Sequence, residues 1–106
     1  MDKIAKTLQA VKTSVLATHP YATLILYGSY ARNEQREDSD IDILILIDSE
    51  IVSPTDRQSI TRPIYDIGLD SGFLISPMVR SKKTWGKGYM KYTPFFNNVQ
   101  SEGREL

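Results

Sequence analysis

The residues best suited to chemistry are two aspartates, Asp40 and Asp42, which stand one residue apart where the aliphatic run IDILILI begins. Side chains alternate along a β-strand, so both carboxylates are expected on the same face of a sheet. Close, half-buried carboxylates repel each other, which raises their pKa or destabilises the fold. Magnesium would remove this repulsion, because it prefers carboxylate oxygens and completes its shell with water and substrate phosphates. The alternative is that both aspartates are solvated loop residues.

A second candidate group is the pair Gly28 and Ser29, which follows the short apolar run TLILY. The next segment, YARNEQ, is predicted to be a short helix, whose start would offer backbone N–H groups and a positive dipole end to an anion. Glycine lets a phosphate approach the backbone closely, and the hydroxyl of Ser29 can donate to a phosphate oxygen. A plain strand-to-helix turn is the alternative. Taken with the two aspartates, the pair predicts a magnesium–triphosphate site.

Basic residues near these stretches have alternative interpretations. Arg32 lies one predicted helical turn after the Gly-Ser pair, where it could contact a triphosphate or form a surface ion pair with a nearby acidic cluster. That cluster comprises Glu34, Glu37 and Asp38. The lysines and aromatic residues of segment 82–92 could bind a nucleotide base or RNA. A solvated helix face with its aromatic side chains packed on the core is the preferred interpretation of that segment.

Composition restricts the functional classes. A chain of 106 residues predicts a single domain, 1–106, and its 13 basic and 13 acidic side chains cancel, which argues against nucleic-acid binding. The absence of cysteine excludes disulfides and thiolate metal sites, and a single histidine excludes a His-rich zinc site. No apolar run approaches the roughly 20 residues that span a bilayer, and the N-terminus lacks the apolar region of a signal peptide. A soluble, cytoplasmic protein without membrane contact is expected.

Hydrophobic spacing and turn residues predict the elements that must position these groups. The predicted bounds are helix 2–17, strand 23–27, a short helix within 30–35, strand 41–47, a helix from Ser53 to Gly72, strand 73–79, and two short helices that begin at Ser81 and Thr93, the second ending at Gly103. This alternation predicts an α/β fold with a small mixed sheet of three to four strands flanked by helices.

Two prolines refine this prediction. Pro63 is expected to interrupt the helix that begins at Ser53 or to begin a second helix, because proline removes a backbone hydrogen bond from a helix interior. Pro77 cannot donate a hydrogen bond to a neighbouring strand. The third strand is therefore expected at an edge of the sheet or in a bulged conformation.

The stretch GSYARNEQREDSDIDILI, residues 28–45, resembles the motif of the DNA polymerase beta-like nucleotidyltransferase superfamily. That motif is a Gly-Ser turn, then roughly ten residues, then Asp-x-Asp flanked by aliphatic residues. The chain length and the order of helices and strands resemble those of the stand-alone minimal nucleotidyltransferases. The final stretch, TPFFNNVQSEGREL, is similar to the closing helix and Glu-Gly turn of those small proteins.

The resemblance implies a nucleotidyltransferase fold and a metal-dependent reaction. Gly28 and Ser29 would bind the β and γ phosphates of a nucleoside triphosphate, with ATP the expected one, and Asp40 and Asp42 would hold two magnesium ions. A nucleoside monophosphate would pass to an unknown acceptor while pyrophosphate leaves. Stand-alone domains of this family often work with an all-helical partner of the HEPN type, and some adenylylate that partner as antitoxins. A partner of this type or a homodimer is therefore expected.

The sequence departs from the family pattern at the third carboxylate, which active members carry on a later strand. Ser76 stands near that position, and a serine hydroxyl is a poor metal ligand and no base at neutral pH. Asp66 and Asp70, upstream on the predicted helix, are weak substitutes. Nucleotide binding with slow or absent transfer is expected of the isolated chain. The second hypothesis is therefore a nucleotide- or metal-binding interaction module without turnover, and the third is a structural domain with solvated aspartates.

Overall fold

The fold is a mixed β-sheet with helices packed on both faces. The structure, a computed structural model, describes residues 2–106, so residue 1 of the predicted domain lies outside the described part. Its elements are α1 (Lys3–Thr18), β1 (Thr23–Tyr27), β2 (Ile41–Ile47), α2 (Pro54–Ser71), β3 (Ile75–Ser81), a 3-10 helix (Gly88–Tyr92), α3 (Pro94–Glu102) and β4 (Arg104–Glu105). The predicted α/β class with a small mixed sheet is confirmed.

The four strands lie in the order β3-β2-β1-β4. β2 pairs antiparallel with β1 and parallel with β3, and β4 pairs antiparallel with the outer side of β1. The central strand β2 is apolar on both faces, which is typical of a strand covered by helices on both sides. β3 lies at an edge of the sheet, as the proline within it predicts.

Each face of the sheet has its own hydrophobic cluster. One cluster joins α1 and α2 to the sheet through twelve buried side chains, among them Val11, Ile43 and Ile64. The other joins α3 to the opposite face through Leu44, Leu46 and Val99. Within residues 2–106, no helix has the length and apolar character needed to cross a membrane.

Helix α2 is continuous through Pro63, so the predicted interruption at this residue is wrong. The helix begins at a capping box, in which Ser53 and Asp56 exchange side-chain and backbone hydrogen bonds. Ile60 and Ile64, on either side of the proline, are both buried against the sheet. Their packing outweighs the lost backbone hydrogen bond. The helix ends as predicted at Gly72, which adopts the left-handed conformation.

Both predicted short helices before residue 87 are wrong, because the two segments are turns. Asn33 has a φ of 56°, which stops the segment after β1 from continuing as a helix. Gly86, with a φ of 79°, does the same after β3. β3 itself begins and ends two residues later than the predicted 73–79. The helix predicted to begin at Thr93 is confirmed as α3, and it ends at Gly103 as expected.

We expect Ile64→Ala to lower the free energy of unfolding by about 2 to 5 kcal/mol, because it empties a fully buried position between α2 and the sheet. The matched control is Ile51→Ala, which removes the same atoms from a side chain that is 80% exposed. Its effect should stay within about 0.5 kcal/mol. Urea unfolding followed by circular dichroism measures both, and equal losses would contradict the assigned core.

Candidate functional site

The structure brings Asp40, Asp42 and Ser76 together on one face of the sheet. Asp42 lies in β2 directly opposite Tyr27 of β1 and Ser76 of β3, and residues paired in this way share a face. The Ser76 hydroxyl donates a hydrogen bond to Asp40 Oδ2 at 3.0 Å. Both aspartates are half-buried, which argues against solvated loop positions. The expected position of Ser76 beside the two carboxylates is confirmed.

The electrostatics of this face oppose a second negative charge. Burial raises the pKa of Asp42 above its usual value, and the neighbouring Asp40 carboxylate raises it further, whereas Arg32 acts in the opposite direction. The pKa of Tyr27 is also raised, first by burial and then by Asp42, with Arg80 opposing. A cation beside the two aspartates would lower the raised pKa values of Asp42 and Tyr27.

Gly28 links the two sequence stretches in space. Its φ is +77°, and a Cβ atom added there would lie 2.3 Å from Asp42 Oδ2, so no larger residue fits beside this carboxylate without a rearrangement. The turn that follows is closed by hydrogen bonds from the backbone N–H groups of Ala31 and Arg32 to the Gly28 carbonyl, at 3.1 and 3.2 Å. The predicted contribution of a helix N-terminus to phosphate binding is therefore wrong, since no helix follows Ser29.

Arg32 is held by two carboxylates. Its Nε donates to Glu34 at 3.4 Å, which confirms one of the ion pairs considered from the sequence. Its Nη1 donates to both oxygens of Glu102, at 3.0 and 3.2 Å. The Gly28 N–H also donates to Glu102, at 3.3 Å. These contacts, of which the hydrogen bond to Glu102 is the main one, raise the pKa of Arg32.

Glu102 joins the candidate site although local sequence patterns do not predict it. It lies 70 positions after Arg32, at the end of α3, and no local pattern predicts that this helix reaches the Gly28 turn. The one available indication was the Glu-Gly pair in the final stretch, which resembles the closing turn of the minimal nucleotidyltransferases.

Other acidic side chains do not complete the site. Asp66 and Asp70 lie exposed on α2, which packs on the opposite face of the sheet from Asp42. Within the described residues 2–106, no group of three or more histidine, cysteine, aspartate or glutamate side chains is arranged to hold a metal ion. The available donors are two carboxylates and a hydroxyl. This set fits one magnesium ion that takes its remaining oxygens from water and ligand phosphates.

Two neighbouring regions are separate from the aspartates. Trp85 packs against Phe95 and Phe96 with ring centroids 5.7 and 5.0 Å apart, which confirms the packed interpretation for this side chain. Tyr89 and Tyr92 are 84% and 75% exposed, so the same interpretation is wrong for these two tyrosines. A cavity of about 760 Å³ opens between α2 and the start of β3. Its lining includes Asp38, Tyr65 and Leu69 but neither Asp40 nor Asp42, so it is not assigned to the same site.

Asp42→Asn should stabilise the protein increasingly as the pH rises, when divalent cations are absent. The raised pKa of Asp42 means that the folded state holds this proton more tightly than the unfolded chain does. Ionisation therefore costs stability as the pH rises from the usual value of 3.8 through the folded-state pKa. Thermal melts between about pH 3 and pH 8 measure the difference between variant and parent. Asp48→Asn, at an exposed position after β2, is the control, and a pH-independent difference for Asp42→Asn would contradict the assignment.

Several known proteins resemble this chain in sequence or in fold. Residues 4–85 match the family Nucleotidyltransferase domain. Two proteins of Methanocaldococcus jannaschii are similar, "Putative protein adenylyltransferase MJ0141" and "Putative protein adenylyltransferase MJ0604". They are 34% and 36% identical over 83 residues, which cover 78% of this chain and 76% and 75% of theirs. A solved structure described as "Crystal structure of the toxin-antitoxin with AMP-PNP" shares the fold, with a TM-score of 0.57 and 18% identity over 97% of this chain and 68% of that one. The chain belongs to the nucleotidyltransferase domain family.

Proposed function

We propose that this protein binds magnesium and a nucleoside triphosphate, with ATP the expected one, and transfers the nucleoside monophosphate to another protein. The observation that carries the proposal is the contact between the Gly28 turn and Asp42. It places a glycine suited to close phosphate approach against a carboxylate suited to magnesium. The similarity to proteins named as protein adenylyltransferases supports a protein acceptor.

The chain's own residues have distinct roles in this proposal. Asp40 and Asp42 would hold magnesium, which supplies charge stabilisation to the phosphate oxygens when it is bound. Gly28 and Ser29 would contact the β and γ phosphates from the turn after β1. Arg32 would offer its guanidinium to the same phosphates, since its planar fork of donors matches phosphate oxygens.

A protein partner is part of the proposal, because most of this small chain forms the sheet and its covering helices. An acceptor pocket would then come from another subunit, either an all-helical protein of the HEPN type or a second copy of this chain. The shared fold with a structure described as a toxin-antitoxin with AMP-PNP supports the first.

A second candidate function is nucleotide binding without turnover. The observation that favours it is the hydrogen bond from the Ser76 hydroxyl to Asp40, at the place where a third carboxylate would otherwise meet the pair. A hydroxyl neither holds a second metal well nor accepts a proton from an acceptor group at neutral pH.

Asp42→Asn should abolish magnesium-dependent ATP binding and leave the fold intact, because a neutral amide replaces one of the two magnesium-binding carboxylates. Calorimetric titration of ATP with and without magnesium measures this, and Asp48→Asn is the matched control at an exposed position. Incubation with ATP labelled at the α-phosphate, magnesium and host extract then separates the two candidate functions. Label on a protein supports nucleotidyl transfer. ATP binding without any labelled protein supports nucleotide binding without turnover. Equal magnesium–ATP affinity of Asp42→Asn and the parent would exclude the proposed metal site.

Ser76→Asp should increase transfer, because it adds both a metal ligand and a candidate base beside Asp40. General-base assistance is typically worth about 100- to 10,000-fold. Ser76→Ala is the control, since it removes the hydrogen bond to Asp40 without adding charge. The aspartate variant should also be less stable than the parent when magnesium is absent, since a third carboxylate joins two that already repel. Rapid transfer by the unmodified chain would refute the view that Ser76 limits the reaction.

A further inference from the structure

Glu102 makes an unusual set of contacts for a carboxylate at the end of a helix. It accepts from the Gly28 backbone N–H at 3.3 Å and from Arg32 Nη1 at 3.0 and 3.2 Å. Its side chain is 21% exposed, whereas that of Arg32 is 41% exposed, so the carboxylate is the more buried partner of the pair. A backbone N–H and a guanidinium that converge on one anion form the kind of donor set that binds phosphate.

We propose that Glu102 is a built-in competitor of the ligand: its carboxylate occupies donors that the triphosphate needs, and a bound triphosphate displaces it. This inference rests on the proposed function, in which Gly28 and Arg32 contact phosphate. Glu102 thereby sets a cost that every ligand of these donors must meet. A ligand must carry enough negative charge to replace the carboxylate, so weakly charged phosphates are disfavoured.

The charges around the site support competition rather than simultaneous binding. Asp42 lies against Gly28 with the Asp40 carboxylate near it, and Glu34 and Glu102 both contact Arg32. A triphosphate with several further negative charges would meet these carboxylates at short range. Magnesium would offset the aspartates, but the charge of Glu102 is offset only by the arginine that the phosphates also require.

The segment around Glu102 is anchored, so displacement requires the side chain to move and not the helix. Val99 is buried one turn earlier, and the Gly103 N–H donates to its carbonyl at 2.8 Å. A Cβ added at Gly103 would lie 2.7 Å from Ile25 Cγ2, which shows how closely this turn packs on β1. β4 then pairs with β1. The carboxylate is therefore free to return to the same donors after the product has left.

The test is the affinity for inorganic tripolyphosphate and pyrophosphate, measured by calorimetry on the parent, Glu102→Gln and Glu102→Ala. Removing the charge should strengthen tripolyphosphate binding by about twofold to fivefold, the size expected for a partly exposed ion pair. The relative gain should be similar for pyrophosphate, because displacing the carboxylate costs the same whichever phosphate takes its place. Glu105→Gln is the matched control, because it makes the same change in net charge at an exposed position of β4 and should leave both affinities unchanged.

A double-mutant cycle provides a readout that a purely structural role would not change. Arg32→Ala should weaken tripolyphosphate binding more strongly in the Glu102→Gln background than in the parent, because the competing carboxylate no longer occupies the arginine. Nuclear magnetic resonance gives an independent measure. The Gly28 amide signal should shift on tripolyphosphate addition in the parent, and it should already be shifted in Glu102→Gln without ligand.

The outcomes separate this inference from the proposed function. If the parent binds tripolyphosphate and both Glu102 variants bind it equally or more weakly, Glu102 supports the turn instead of competing, and the inference is overturned while the phosphate site stands. If no protein in the set binds tripolyphosphate, the phosphate site and the inference both fail. If a Glu102 variant binds tripolyphosphate and the parent does not, the result supports both the phosphate site and the competition by Glu102.

Discussion

The position of β2 between two neighbouring strands is the constraint on which the site depends. Its antiparallel pairing with β1 sets Asp42 opposite Tyr27, and its parallel pairing with β3 sets the same residue opposite Ser76. A shift of either pairing by one residue would move a side chain to the other face of the sheet. Because Ile41, Ile43 and Ile45 are fully buried on the α1–α2 face, such a shift would expose the core. The hydrophobic pattern that stabilises the sheet therefore also fixes the chemistry on its opposite face.

The contact between Gly28 and Asp42 adds a second constraint. It requires a turn with positive φ directly after β1, and this requirement explains why glycine stands at that point. The fold thus brings the two motifs of the sequence together over a short distance, although thirteen residues separate the glycine from the second aspartate. The intervening chain makes turns on the surface and carries Arg32, whose ion pairs extend the site to the end of α3.

The sequence was sufficient to predict the parts of the fold that local patterns control. β1 and β2 have the predicted bounds, because each is a short, mainly apolar run bounded by turn or polar residues. The segments 30–35 and 82–86 were wrongly predicted to be helical, since the conformations of Asn33 and Gly86 were not evident from their neighbours. β4 has only two residues, too few for a hydrophobic pattern. Among site residues, the shared face of the two aspartates was predicted from strand alternation and the position of Ser76 from the family resemblance, whereas Glu102 depends on tertiary contacts that no local rule encodes.

β4 also has a consequence for how the chain reaches its folded state. It pairs Glu105 with Ile25, and Leu106 donates from its backbone N–H to the Leu24 carbonyl at 2.9 Å. These partners are about eighty positions apart, so contacts of high sequence separation complete the sheet. Until they form, the outer edge of β1, with its apolar sequence TLILY, presents unpaired backbone groups to other chains. A nascent or clipped chain without residues 104–106 would carry an open, aggregation-prone edge. By pairing with β1, this short strand therefore also limits aggregation through that edge.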